Sequence, residues 1–439
     1  MKSSDAPSHF IIRGSILHFL QDPAQYADAE SFQYLEDGYL WLADGRVQAT
    51  GSWQQLGDIP ASVRDVAQWA DHSGYLILPG LIDTHMHYVQ AGMIGSFGCR
   101  LLDWLNDYTF PAEAAFADPD VARVTAKFVI DRLLAHGTTT ASVFGSVHPQ
   151  SVDAFMAEAD RRGLRMLCGK AMMDRYCPPE VRDTAEQSGQ QSADLISRWH
   201  GKGRLRYTIT PRFAPTSTPE QLTIAGELYR SRPDLHVQSH LAENDKEVAW
   251  VAELFPQQQD YLGVYEHFGL TGPRTIYGHC IHLTAREQAA MAASGTAAAF
   301  CPTSNLFLGS GLFDYHGTTA AGVRVGLATD VGGGTSLNMI RTLAEAYKVS
   351  QARHQPLSPL RGWYLATLGG ARALYLDEFI GNFAPGREGD FIVLKLDATP
   401  ELGFRMARTR TLAERLFALT TLGDERCVAA TYIMGQRVL

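Results

Sequence analysis

Short apolar runs alternate with stretches of helical spacing through the central part of the chain. One run, residues 75–82, is broken by Pro79-Gly80 and continues into Asp83, Thr84, His85, Met86 and His87. Its length and lack of alternation predict a strand buried on both faces. Seven more such runs follow, at 137–144, 165–173, 204–210, 236–240, 275–279, 296–300 and 323–329. Helical patterns lie between most of them. Asp118-Pro119 supplies an N-cap and a first-turn proline, Val121, Val124 and Phe128 follow at helical spacing, and Gly137 closes the stretch. Thr218-Pro219 repeats the entry signal. Thr284 with Glu287 makes a capping box, and Gly295 ends that helix. Eight strand–helix units in succession predict a (β/α)8 TIM-type barrel, a fold whose active sites sit at the C-terminal ends of the strands.

The flanks have a different texture. Residues 10–20 form an apolar run broken by Arg13, Gly14 and His18. Asp37-Gly38 precedes Tyr39, Leu40, Trp41 and Leu42, and Asp44-Gly45 precedes Arg46 and Val47. This is a glycine-punctuated β pattern. Residues 390–396 and 430–434 match it, the latter turning at Gly435-Gln436 toward Val438. Neither flank holds enough strands for a core of its own. Both are therefore expected to build one small β-sandwich domain, from residues 1–76 and 381–439, around a barrel of residues 77–380.

Composition removes several function classes. With 45% hydrophobic and 19% charged residues, the 439-residue chain has the balance of a folded protein and not of a disordered one. The net charge is −9 and no Lys/Arg cluster offsets it, which argues against a nucleic-acid partner. The six cysteines, at 99, 168, 177, 280, 301 and 427, include no CxxC pair and fit reduced thiols better than a disulfide framework. The run at 10–20 is too short to span a bilayer and lacks a small-residue cleavage pattern. A cytoplasmic protein with no membrane partner is expected.

Chemistry-bearing residues fall at the strand ends. Side chains alternate along a strand, so His85 and His87 should point the same way, roughly 7 Å apart. The fifth run ends at His240, with Glu243 three residues on; the sixth ends at His279; the eighth leads to Asp330. Singly, each has a plain explanation: a hydrogen-bonded core histidine, a turn residue before Val331-Gly332-Gly333-Gly334, an acid placed for a helix dipole. Five ligand-type residues at the correct ends of four strands outweigh those explanations together. Imidazole nitrogens with one carboxylate suit zinc, with iron(II) as the competitor. Glu243 is not needed as a ligand and is free to move protons. Asp330 can bind metal and also accept a hydrogen bond from an attacking water. A bound zinc brings the pKa of water toward ~7, so hydrolytic attack on an electrophilic carbon is the expected reaction class. His236 opens its strand, the wrong end for a ligand, and His282 lies past the ligand position.

These residues and several longer segments resemble the metal-dependent deaminase branch of the amidohydrolase superfamily. The segments are PGLIDTHMH (79–87), LLDWLNDYTFPAE (101–113), HGTTTA (136–141), TPRFAPT (210–216), QSHLAEN (238–244), CPTSNLFLGSGLF (301–313) and ATDVGGGTS (328–336). The resemblance implies hydrolytic deamination of a purine base, guanine, to xanthine with release of ammonia, in a homodimer. It implies one zinc per subunit, held by His85, His87, His240, His279 and Asp330, with Glu243 as proton shuttle. It also implies that Gln90, Arg212 and Phe213 contact the base. Arg212 can donate in a fork to a purine O6 or ring nitrogen, and Phe213 can offer a stacking face. Binuclear relatives carry a modified lysine at the end of strand four, where this chain has Thr210-Pro211-Arg212; Lys170 lies in strand three. The H-x-E with P-C-x-x-C pattern of the cytidine-deaminase fold is absent.

The segment 88–116 is long for a loop between strand and helix and is expected to form a lid, a subunit contact or both. Two alternatives stay open. One is a related aminohydrolase acting on cytosine, an adenosine-like nucleoside or an aminotriazine. The other is a catalytically silent barrel scaffold, against which the complete ligand set argues.

Overall fold

The computed structural model describes residues 8–97 and 104–439. Cys99, and Leu101, Leu102 and Asp103 of the 101–113 motif, lie outside the described residues. Eight parallel strands follow one another around a barrel: Leu81–His87, Thr138–Phe144, Leu167–Gly169, Arg206–Pro211, His236–Leu241, Thr275–His279, Ala297–Phe300 and Val325–Leu327. A short piece, Ala171–Met172, continues the third strand and pairs with the fourth. The first strand and the eighth strand with its exit close the ring through both side-chain and backbone hydrogen bonds. Thr84 Oγ1 donates to the Leu327 carbonyl at 3.0 Å, and the Thr329 N–H donates to Asp83 at 3.0 Å. Every residue of the first, second and fifth strands is buried, the many polar ones included, because helices cover one face of the parallel sheet and the barrel interior encloses the other.

The helix signals have structural counterparts. Asp118 accepts from the Asp120 N–H at 2.8 Å at the head of Pro119–Ala135. Thr218 caps Pro219–Ser231, and Thr284 and Glu287 form a capping box on Ala285–Ser294, which ends at Gly295 with φ +81°.

Both chain ends enter one seven-stranded sheet. From the N-terminal side come His9–Phe19, Phe32–Ala43, Arg46–Ser52 and Gln68–Pro79. From the C-terminal side come Phe391–Leu394, Val428–Ile433 and Gln436–Arg437. Gln68–Pro79 joins the halves, running parallel to His9–Phe19 and antiparallel to Phe391–Leu394. The strands are thus hydrogen-bonded as one mostly antiparallel sheet. Gly80 separates Gln68–Pro79 from the first barrel strand; a Cβ there would lie 2.0 Å from Thr139 Oγ1, so only glycine fits. At the N-terminal ends of the third and fourth barrel strands, Arg165 and Arg204 each reach the buried Glu388 at 2.7 Å, and Arg204 also reaches Asp390 at 2.7 Å. This ion cluster ties the barrel floor to the C-terminal strands. Among the described residues no helix is long and apolar enough to cross a membrane.

Candidate active site

His85 and His87 end the first strand with ring centroids 5.2 Å apart, both buried. The space for His85 comes from the sixth strand: a Cβ on Gly278 would lie 2.7 Å from His85 Cε1. His240 ends the fifth strand, with its ring 4.8 Å from His85 and 5.1 Å from His87. His279 ends the sixth and stacks 5.4 Å from His240. Asp330, just past the eighth, lies 3.3 Å from His85 Nε2 and 3.5 Å from His87 Nε2 through Oδ1, and 3.7 Å from His279 Nε2 through Oδ2. The Asp330 N–H donates to the His85 carbonyl at 2.9 Å, which locks the eighth strand's exit against the first. His279 and Asp330 are non-glycine residues with φ of +70° and +49°. Such backbone costs on the order of 1–3 kcal/mol each and persists where surrounding structure demands it.

Hydrogen bonds set the tautomers. The His279 Nδ1–H donates to Asn305 Oδ1 at 2.9 Å, and the His240 Nδ1–H donates to the Arg212 carbonyl at 2.5 Å. Both rings therefore turn an Nε2 lone pair toward the centre. His240 Nε2 faces His87 Nε2 at 3.1 Å. Both His85 nitrogens and His87 Nδ1 are buried without a hydrogen-bond partner. Buried imidazole nitrogens are normally satisfied, so His85 Nε2, unpartnered beside the Asp330 carboxylate and next to the Nε2 atoms of His87 and His240, fits a divalent cation at the centre. Ligand atoms of His85, His87, His240 and Asp330 all lie within 4.8 Å of one another. A second group, His279, Cys301 and Asp330, overlaps the first through Asp330.

The electrostatics suit metal ligation at three of the four histidines and at Asp330. Burial pushes the His85, His87 and His240 imidazoles below their ordinary value, which keeps them neutral. Burial works the same way on His279, but Glu243 and Asp330 beside it offset this and raise it. Burial opposes ionisation of Asp330, yet the surrounding histidines outweigh it and hold the carboxyl below its usual range. Glu243 sits before the helix Asp245–Leu254, whose capping residue is Asn244. It points inward, with Oε2 3.4 Å from His279 Nε2, and Ser310 Oγ donates to Oε1 at 3.0 Å. Burial pushes its carboxyl up to about 7, the range in which a group exchanges protons readily at neutral pH.

Gln90, Arg212 and Phe213 line the same cavity as His87, His240 and Glu243. Trp104, Leu105 and Leu308 give it an apolar side. Arg212 follows the fourth strand and is buried, its Nη1 donating at 2.8 Å to both oxygens of Glu113. Phe213 sits 6.2 Å from the Trp250 ring, edge to face. His236 lies at the opposite strand end, where its ring bonds the Leu374 carbonyl at 2.9 Å. His282 pairs with Asp245 at 3.0 Å, and Lys170 is paired with Asp183. Glu113, Asn305, Ser310 and Cys301 were not singled out from the sequence. For Glu113 a signal existed: one acid in the otherwise apolar, proline-marked stretch Phe110-Pro111-Ala112-Glu113-Ala114.

The chain is similar to known proteins over nearly its full length. The family model described as Amidohydrolase family matches residues 76–438. Guanine deaminase of Escherichia coli (strain K12) is 47% identical over 431 residues, covering 97% of each chain. The solved structure of E. coli guanine deaminase superimposes with a TM-score of 0.94 at 46% identity, covering 98% of this chain and 99% of that one. The structure of guanine deaminase from C. acetobutylicum, with guanine bound in the active site, gives a TM-score of 0.88 at 28% identity over 98% and 100% of the two chains.

Proposed function

The chain belongs to the amidohydrolase family, and from that premise we infer that it hydrolyses guanine to xanthine and ammonia. One observation carries the reading: a buried cluster of four histidines, Asp330 and Glu243 opens into a cavity walled by Gln90, Arg212 and Phe213. In this reading His85, His87, His240, His279 and Asp330 hold one zinc ion. The convergence of ligand atoms from His85, His87, His240 and Asp330, with His85 Nε2 unpartnered among them, supports that assignment. Zinc, when bound, brings the pKa of water toward ~7 and polarises the amino-bearing carbon's surroundings.

The chain's own groups do the rest. Phe213 offers a face to the flat base, and Gln90 and Arg212 donate hydrogen bonds to its acceptor edge. Asp330 orients the attacking water by accepting a hydrogen bond from it. Glu243 takes a proton from that water as oxygen bonds to the amino-bearing carbon. It passes that proton to the neighbouring ring nitrogen, then carries the proton of the newly added hydroxyl to the amino nitrogen as the C–N bond breaks, so that guanine and water become xanthine and ammonia. A single carboxylate can do this because it lines the cavity and its carboxyl is pushed up to about 7, so that it takes and gives protons near neutral pH. Trp104 and Leu105 wall the cavity, which supports the segment 88–116 as its cover. The working assembly in this reading is a homodimer, checked by light scattering.

The test is an ammonia-release panel of guanine, cytosine, adenine and ammeline, with metal analysis of the same sample. Guanine should be turned over fastest. Preference for cytosine, adenine or ammeline would replace the substrate while leaving the reaction class, and no turnover of any would support the silent scaffold.

A further inference from the structure

Gln90 and Arg212 line the cavity, but neither is free to choose its orientation. Behind them lies Glu113, with no exposed surface, on the short helix Phe110–Ala114. Arg212 Nη1 donates to both of its oxygens at 2.8 Å, and Gln90 Nε2 donates to Oε1 at 2.8 Å. On its other side, Gln90 Oε1 accepts from the Gly332 N–H at 3.2 Å. An ionised carboxylate only accepts and a backbone N–H only donates. The two together dictate which way the Gln90 amide points: nitrogen toward Glu113, oxygen toward Gly332. The oxygen is turned toward Gly332 with one lone pair taken, and Nε2 keeps one N–H that Glu113 does not use. Arg212 spends only Nη1 on Glu113 and keeps its other donors. Arg212 can therefore meet a ligand only as a donor, and Gln90 is oriented with its free N–H as the group not held by Glu113 or Gly332.

We propose that Glu113 is a positioning residue that sets the base selectivity of this site, by fixing the donors of Gln90 and Arg212 as a wall that favours a purine carbonyl over rings lacking one. The inference rests on the guanine reading and adds to it. The amino-bearing carbon must face the metal-type cluster, so the base's six-position lies away from it. There a carbonyl oxygen matches the donors, whereas a hydrogen leaves them unpaired and an amine opposes them. Without the Glu113 carboxylate, only the Gly332 N–H at 3.2 Å still favours that orientation of the Gln90 amide, and Arg212 loses its anchor, so the donor character of the wall weakens.

The experiment compares wild type with Glu113→Gln, both zinc-loaded, by calorimetric titration with hypoxanthine and with unsubstituted purine. These ligands differ at the six-position and neither is turned over, so binding is read independently of catalysis. Wild type should bind hypoxanthine the more tightly. Glu113→Gln should weaken hypoxanthine roughly 10- to 100-fold, the span expected for charge-assisted hydrogen bonds, and leave purine and zinc content within about twofold, since neither the apolar face nor the ligand set is touched. For guanine the same variant should lose mainly through KM. Equal weakening of both ligands, or an unchanged preference in folded, zinc-loaded variant, overturns the proposal. If Glu113→Gln does not fold, Glu113→Asp keeps the charge beside Arg212 but shortens the reach to Gln90. It should lose part of the hypoxanthine preference, and full retention overturns the proposal equally. If wild type shows the preference but does not turn over guanine, the functional reading fails while the role of Glu113 stands.

Discussion

Replacing Glu243 with glutamine removes the proposed proton carrier and almost nothing else. The side chain keeps its size, and Ser310 Oγ, 3.0 Å from Oε1, can still donate to an amide oxygen. Glu243 lies 3.4 Å from His279 Nε2 but is outside both groups of converging ligand atoms, so zinc content should not change. A positioned acid or base contributes ~10²–10⁴-fold to a step it serves. At ~1.36 kcal/mol per tenfold, that is ~2.7–5.4 kcal/mol of barrier. Two proton transfers pass through the one carboxylate in succession, so the slower of them sets the loss, and kcat should fall by ~10³-fold within that span. Stability supplies a second readout. In metal-free protein, burial raises the Glu243 carboxyl from 4.5 to about 7. Between those pH values the folded chain holds a proton that the unfolded chain has released. Wild-type stability therefore falls as pH rises through that window, by about 3 kcal/mol in full. The glutamine variant has no such proton to lose. With chelator present it should be more stable than wild type above pH 7 and similar at pH 4.5. Guanine absorbance, ammonia release, zinc analysis and denaturant titrations at the two pH values read all of this. A folded, zinc-replete variant running near the wild-type rate would refute the assignment, and loss of zinc along with activity would make Glu243 a ligand.

Three other substitutions separate holding the metal, holding the base and holding the fold. Asn305→Ala takes away the acceptor of the His279 Nδ1–H, 2.9 Å distant; zinc affinity should drop ~10- to 100-fold, read by competition with a chelating dye. Arg212→Ala should reduce kcat/KM for guanine far more than zinc content. It also leaves Glu113 buried without its cation, which costs on the order of 3–5 kcal/mol of stability in a chemical melt. If zinc content falls as far as activity does, Arg212 is structural. Glu388→Gln breaks the cluster with Arg165 and Arg204 at the far end of the barrel. It should lower stability by about 3–5 kcal/mol with guanine kcat unchanged, and a parallel loss of kcat would mean that the two ends of the barrel are coupled.

What could be read in the sequence followed from locality. His85 and His87 share one strand, and the strand's apolar pattern places them. His240, His279 and Asp330 each end a run whose burial is visible in its composition, so the barrel rule was enough to bring them together. Capping at Asp118, Thr218 and Thr284 was equally visible, because a cap is a contact between near neighbours in the chain. The strand Gln68–Pro79 shows the limit. Only its last third is apolar; the first part pairs with His9–Phe19 through backbone groups that leave no mark on the side-chain pattern. Glu113, Asn305 and Ser310 were hidden for a related reason. Each acts through a partner 23 or more positions away, on a short helix or a loop without periodicity. The chemical identity of such residues is ordinary, and only the fold gives them their partner.

Stoichiometric reconstitution tests the central claim most directly. Metal-free protein is titrated with zinc while guanine hydrolysis is followed, and the chain concentration is measured independently. The account predicts that activity rises linearly and breaks at one zinc per chain, with no rise in a protein carrying His240→Ala and His279→Ala. Full guanine turnover by metal-free protein, or a break at two zinc ions per chain, would contradict it.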